Sequence, residues 1–259
     1  MSKPHVFWLL TVGLTFSCAN LSSGTSVVLL FKKDSITVAA DSRAIGIDGH
    51  RHADNCKIAV GGSDMVYAFS GYDNEPDQPF RTAALQIATE NTDPTTAIEA
   101  LQETLARKLM ALANLLRNNS PSNFARKIEG NAIYEGAFAT IEQDGPHYAE
   151  AAFVPETLPT GKISIKMIMK DCTSDCAGDL IVLGHHNGVD KFMTAHSLRS
   201  LSINPISSAK KLIEIEIRDA PEAVGPPVSV FQLRRSGVAW IDPGVCKQQD
   251  RGKDGATAK

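Results

Sequence analysis

Hydrophobic and polar positions follow the spacing of β-strands in the first part of this chain. Two β-rich runs, 26–32 and 35–40, are separated by Lys33 and Asp34, a two-residue break that is typical of a hairpin. Further strands are predicted at 56–61 and 64–69. The pattern therefore predicts at least four strands in close succession after Gly24.

The period changes to that of helices in the next part of the chain. Apolar residues recur at intervals of three and four in 79–91, and again from Ile98 to Leu116, which predicts two helices. Asp93 and Pro94 indicate the start of the second helix, since aspartate caps a first turn and proline fits the first helical position. The breaker-rich segment 118–122 should end it near Arg117.

Strands return in the second half, and the order of elements predicts the fold class. The predicted strands lie at 132–141, 147–154, 162–170, 179–183, 228–233 and 237–241, and shorter helices at 187–199 and 205–217. Blocks of strands that alternate with blocks of helices favour antiparallel sheets with helices packed outside them. We expect an α+β fold, a four-layer αββα sandwich of two antiparallel sheets.

The first 24 residues differ from the rest. Lys3 precedes an apolar run, 6–16, of the length of a signal-peptide core, and small residues follow it. We interpret 1–24 as a signal peptide, or as a signal peptide and a short pro-segment, cleaved after Ala19 or after Gly24. The alternatives are an amphipathic or buried first strand of the domain and, less favoured, a lipoprotein signal that ends at Cys18. The expected location is therefore exported, periplasmic or extracellular.

Composition sets further limits. The chain has 259 residues, of which 43% are hydrophobic, and a net charge of −3, so neither a nucleic-acid surface nor a polybasic membrane contact is indicated. We expect one domain at 25–243 and a disordered polar tail at 244–259.

The cysteines are compatible with export. Cys18 lies in the signal-like segment, and four others remain. An even number in an oxidising compartment permits disulfides. Cys172 and Cys176 are the favoured pair, while half of a metal site and free thiols are the alternatives.

Thr25 directly follows a run of small residues, and an N-terminal threonine has special chemistry. A threonine hydroxyl needs a base to become a nucleophile. The free α-amine of an N-terminal threonine, with an ordinary pKa of about 7.7–8.0, supplies one. A nearby lysine would lower that pKa, and a carboxylate would orient the lysine. Ordinary strand, turn and surface roles are the alternatives for each residue taken alone.

The segment GTSVVLLFKKDSITVAADSRA resembles the start of a mature proteasome β-type subunit, a threonine protease of the N-terminal-nucleophile hydrolase superfamily. Asp41, Lys57 and Gly71 follow Thr25 at 16, 32 and 46 residues, which is the family spacing without a gap. The resemblance implies that Thr25 is nucleophile and base, that Lys57 tunes it, that Asp41 holds Lys57, and that the Gly71 amide binds the oxyanion. It spans roughly 25–243 and is close only in the first quarter.

The resemblance also implies supporting residues. Arg43 matches a structural arginine that is expected to anchor a carboxylate. His185, followed by His186, takes the place of a family serine and would replace it as a hydrogen-bond partner near the amine. A metal role for this pair has no third ligand in the sequence. Asp219 matches an aspartate of a family loop in which Glu222 here replaces serine.

A substrate pocket and an activity follow from the same resemblance. Ala44, Asn55 and Phe69 would line a shallow apolar pocket. The implied activity is amide-bond hydrolysis as a threonine-type endopeptidase, acting on a peptide or amide without cofactor, metal or nucleic acid. The resemblance also implies a homo-oligomeric ring, with partner subunits unknown. The alternatives are a small-molecule amidase or acylase of the superfamily, and an inactive structural relative in which Thr25 stays internal.

Overall fold

A computed structural model of the protein describes residues 25–45, 51–52, 55–61, 65–71, 79–197, 201 and 203–248. The predicted signal segment, 1–24, lies outside the described residues, and so does 249–259 of the predicted tail. The described residues belong to the predicted domain and to the first five positions of the predicted tail.

Twelve strands lie in the described part of the chain. In chain order they are β1 (Ser26–Lys32), β2 (Ser35–Asp41), β3 (Ala44–Ile45), β4 (Arg51–His52), β5 (Ile58–Gly61), β6 (Met65–Gly71), β7 (Tyr134–Ile141), β8 (Pro146–Thr157), β9 (Ile163–Cys172), β10 (Leu180–Gly184), β11 (Val228–Arg234) and β12 (Gly237–Asp242). One antiparallel sheet has the order β10-β1-β2-β11-β12, and the other has the order β5-β6-β7-β8-β9. The strands β3 and β4 form a separate ribbon, which the sequence pattern did not predict.

The four longer helices lie close to their predicted positions, whereas the short helix Pro121–Asn123 was not predicted. They are α1 (Pro79–Glu90), α2 (Pro94–Asn119), α3 (Pro121–Asn123), α4 (Asn187–Ala195) and α5 (Pro205–Asp219). Asp93 caps α2 as predicted, since its carboxylate accepts the amide of Thr96 at 2.7 Å. The breaker segment does end α2, but a π-helical turn at Phe124–Ile128 follows, which was not predicted. Its two terminal side chains are buried, so packing maintains it.

Three apolar clusters lie on either side of the two sheets and between them. The first packs α1 and α2 onto the β5–β9 sheet, the second fills the space between the sheets, and the third packs α4 and α5 onto β1, β2 and β11. Strand β1 shows the two-residue period directly, because Val27 and Leu29 face the other sheet while Val28 faces the helices. The fold is thus mixed α+β with two antiparallel sheets, an arrangement compatible with the predicted sandwich.

Two disulfides cross-link the domain. Cys172–Cys176 is the predicted pair. Cys56–Cys246 joins residues 190 positions apart and holds the 3₁₀ helix Gly244–Gln248 against the domain. The predicted start of the tail at residue 244 was therefore wrong, since the chain is folded to Gln248 and Cys246 attaches this segment to the domain. None of the helices in the described part of the chain combines the length and apolar character needed to span a membrane.

Candidate active site

Thr25 lies at the edge where both sheets end. It directly precedes β1 and is buried, with 2% of its surface exposed. Its carbonyl oxygen accepts the main-chain amide of His185 at 2.8 Å, and Ser26 lies opposite Gly184 in the β1–β10 pair. The main chain of Thr25 is therefore fixed by the end of β10.

Asp41 links the chain next to Thr25 to a buried lysine. One carboxylate oxygen of Asp41 accepts the amide of Ser26 at 2.8 Å and lies 2.5 Å from the ammonium of Lys57. Asp41 ends β2, which pairs with β1, so the strand register sets this contact. Lys57 is 1% exposed, so it is not the solvated surface charge that was the alternative interpretation of this residue.

The second carboxylate oxygen of Asp41 is also occupied. It accepts the amides of Arg43 at 3.1 Å and of Gly225 at 3.0 Å, and Lys57 donates in addition to the carbonyl of Arg43. A carboxylate with four donors is oriented on all sides. Asp41 is thus suited to hold Lys57 and the main chain in place.

Burial sets the proton affinities of this pair. It lowers the pKa of Lys57, since an ammonium without water is unfavourable, while the charge of Asp41 opposes this effect. It likewise raises the pKa of Asp41 against the opposing influence of Lys57 and the backbone donors. Lys57 therefore releases a proton more readily than a solvated lysine.

Arg43 differs from its predicted role. We expected it to anchor a carboxylate, but in the described part of the chain its guanidinium donates to the carbonyl oxygens of Pro221 and Val224. A Cβ on Gly225 would lie 2.5 Å from the guanidinium carbon, so glycine is needed for this approach. Arg43 therefore fastens the loop whose Gly225 amide reaches Asp41.

Two glycines with positive φ allow close approaches of the main chain beside Thr25. Gly71 ends β6 with φ +123°, and a Cβ there would lie 2.5 Å from the carbonyl oxygen of Ile133. Gly184 has φ +80°, and its Cβ would lie 2.3 Å from both the Thr25 carbonyl oxygen and Ser70 Oγ. Gly184 thus brings the Ser70–Gly71 segment of the second sheet close to Thr25 of the first.

His185 engages the site with its main chain, while its ring is held elsewhere. Its Nδ1 lies 2.7 Å from a carboxylate oxygen of the fully buried Glu216, whose other oxygen accepts the amide of Val189. The hydrogen bond with Glu216 raises the pKa of His185, and the charges of Asp219 and Glu222 add to this effect. The predicted contact near the Thr25 amine stays a prediction.

A metal-like grouping surrounds the same ring. Ligand atoms of His185, Glu216 and Asp219 lie within 4.8 Å of one another, which supplies the third ligand that was absent from the sequence pattern. However, His185 and Glu216 bond each other directly, and Asp219 pairs with Lys191 at 2.7 Å. Each group therefore already has a partner within the protein.

The residues predicted for the substrate pocket are buried. Ala44 and Asn55 lie close to the Asp41 region, since the amide of Asn55 donates to the carbonyl of Ser42 at 3.1 Å. Phe69 stacks on Tyr67 and Tyr134 in the cluster beneath α1, and it does not face the other sheet. The segments 46–50 and 72–78, which flank these residues in sequence, lie outside the described residues.

Several residues of the site were missed by the sequence analysis. Glu216 occupies a buried position of α5 together with Ala209, Leu212 and Ile213, so a charge on an apolar helix face was the available signal. Glu135 interrupts a predicted strand in the same way. Gly225 had no local signal, since its partner is 184 residues away.

No protein-family model matches the sequence, and no curated protein matches it either. The chemistry of the site therefore has to be inferred from its own geometry and from the residue pattern.

Proposed function

We propose that the protein hydrolyses amide bonds as a threonine-type endopeptidase of the N-terminal-nucleophile hydrolase superfamily, with Thr25 exposed by cleavage of the Gly24–Thr25 bond. The observation that carries this proposal is the buried Asp41–Lys57 pair, in which the same carboxylate oxygen also accepts the amide of Ser26. A lysine that is kept from water and linked through Asp41 to the residue after a candidate N-terminal nucleophile suits this chemistry.

The chemistry assigns each group one task. The hydroxyl of Thr25 attacks the substrate carbonyl and passes its proton to the α-amine, directly or through a water. The Gly71 amide stabilises the oxyanion, and the C–N bond then breaks as the leaving amine takes up the proton. Water cleaves the resulting ester and restores Thr25. The charge of Lys57 keeps the α-amine neutral and basic.

The two disulfides of the domain support the proposed export. Disulfides persist in oxidising compartments and are rare in the cytosol, and this domain contains two of them. Together with the signal-like pattern of 1–24, they support a periplasmic or extracellular peptidase. In that case, signal cleavage before Thr25 would also activate the enzyme.

The test is the N-terminus of the purified mature protein, determined by intact mass and Edman sequencing. A chain that begins at Thr25 and is acylated there by a β-lactone electrophile supports the proposal. Thr25→Ala should abolish acylation, whereas the control Thr104→Ala, on the exposed face of α2, should leave it unchanged. An active protein that begins upstream of Thr25 would contradict the proposal.

A ring assembly and a peptide substrate belong to the same proposal. Size-exclusion chromatography with light scattering separates a ring of many subunits from a small amidase. Cleavage of unfolded protein chains, compared with that of small acyl-amides, separates the two substrate classes.

A further inference from the structure

Glu135 connects the two sheets. It lies in β7 of the second sheet, opposite Ser70 of β6 and Ala152 of β8. Its carboxylate accepts the amide of Gly184, which ends β10 of the first sheet. Glu135 thus links the two sheets through a hydrogen bond to a main-chain amide, and the sequence did not predict this contact.

The contact lies where the candidate groups converge. The residue after Gly184 donates its amide to the carbonyl of Thr25 at 2.8 Å. On the other side, Ser70 directly precedes Gly71, and Ser70 Oγ is buried without a hydrogen-bond partner among the described residues. The close approach at Gly184 allows no side chain between these segments. Movement of Gly184 would therefore alter the position of Thr25 relative to Gly71.

We propose that Glu135 is a positioning residue of the candidate active site, which holds the Gly184–His185 turn so that Thr25 and Gly71 keep their relative placement. This inference rests on the proposed function of Thr25. Glu135 acts through Gly184 and has no assigned contact with the reacting atoms.

The charge of Glu135 determines how firmly the Gly184–His185 turn is held. Burial raises the pKa of Glu135 to about 7, while the Gly184 amide and the charge of His186 oppose the rise and Glu150 adds to it. In the described part of the chain, His186 is paired with Asp190, and Glu150 is paired with Lys170. A hydrogen bond to an ionised acceptor is about twice as strong as a neutral one. The turn should thus be held more firmly above pH 7 than below it.

The experiment compares Glu135→Gln and Glu135→Ala with the wild type. Glutamine keeps a neutral acceptor for the Gly184 amide, and alanine removes it. The control is Glu156→Gln, an acid in the neighbouring strand β8 that pairs with Lys166 on the surface. The probe is the rate at which a β-lactone acylates Thr25, followed by intact mass at pH 6 and pH 8.

Alanine should slow acylation about ten- to a hundredfold, which is the scale of small misplacements in active sites. The ratio of the wild-type rate to the Glu135→Gln rate should rise several-fold from pH 6 to pH 8, and the control should match the wild type. A merely structural role would give a ratio that is independent of pH. A flat ratio, or an alanine variant as fast as the wild type, would overturn the proposal.

Amide hydrogen exchange at Gly184 and His185 separates this inference from the proposed function. Both amides should be protected in the wild type and exposed in Glu135→Ala, whether or not Thr25 reacts with the lactone. If both amides are protected in the wild type but Thr25 does not react with the lactone, the hydrolase proposal is contradicted, and the positioning role with it. Fast exchange at Gly184 in the wild type contradicts the contact itself.

Discussion

Asp41 and Lys57 form an ion pair of 2.5 Å with side chains that are 0% and 1% exposed. Neither charge has access to water, so each depends on the other for compensation. Removal of one partner from such a pair costs more free energy than removal of both, because the remaining charge stays buried and unpaired.

Lys57→Met should therefore lower the free energy of unfolding by about 3–5 kcal/mol. In the double variant Asp41→Asn/Lys57→Met, the loss should be smaller than the sum of the single losses, since no lone charge is buried. Urea unfolding of all four proteins measures the coupling. Additive losses would mean that the two charges do not compensate each other. The exposed pair Lys166–Glu156 is the control, with a coupling of about 1 kcal/mol or less.

Gly184→Ala should be more destabilising than Gly161→Ala. Both glycines have positive φ, +80° and +77°, so alanine is strained to a similar extent at each. At Gly161 a Cβ meets nothing within 4 Å, whereas at Gly184 it would lie 2.3 Å from two oxygen atoms. The difference in unfolding free energy isolates the steric clash, and Thr25 acylation should fall only in Gly184→Ala. Equal losses would contradict the close approach.

The two disulfides should differ in their contribution to stability. Cys56–Cys246 closes a loop with a sequence separation of 190, and Cys172–Cys176 one of 4. Chain entropy then gives about 5 kcal/mol for the long loop and about 2 kcal/mol for the short one. Paired serine substitutions compared by thermal unfolding test this order. A larger loss from the short loop would contradict the entropic explanation.

Glu135 should make stability depend on pH. Its pKa is about 7 in the folded protein against an ordinary value of 4.5, so the folded state binds the proton more tightly than the unfolded state. Stability should therefore fall as the pH rises from about 4.5 to about 7, by up to about 3 kcal/mol from this group. Glu135→Gln should lack this part of the slope between pH 4.5 and pH 8. Identical slopes in urea unfolding would contradict the raised pKa.

As the pH rises, Glu135 should lower the stability of the fold but raise the rate of Thr25 acylation. Ionised Glu135 should hold the Gly184–His185 turn more firmly, yet an ionised buried carboxylate destabilises the fold. Glu135→Gln should then be at least as stable as the wild type at pH 8 and slower in acylation.

Local signals predicted most of the elements. The Asp93 cap and the Lys33–Asp34 turn depend on neighbours in sequence, and the structure has both where they were expected. The family resemblance implied that Asp41 holds Lys57, and the structure brings the two side chains together.

Contacts between distant segments had no such signal. The Arg43 guanidinium binds main-chain carbonyls of a loop, and a carbonyl cannot be distinguished in sequence from any other. Glu135 and Gly225 meet their partners only after two sheets and a loop have packed together. The tail boundary was missed because the segment after residue 243 is mostly polar, and the disulfide partner of Cys246 is 190 positions away.

The amide of Gly225 reaches Asp41 from 184 residues further along the chain. During synthesis, the strand that carries Asp41 leaves the ribosome long before the loop that completes its set of donors. A nascent or prematurely terminated product therefore contains Thr25, Asp41 and Lys57 but not the contact that closes the site around them. If the protein is the hydrolase of the proposal, a chain that ends before residue 225 should orient Lys57 less firmly, because Asp41 then lacks one of its four donors.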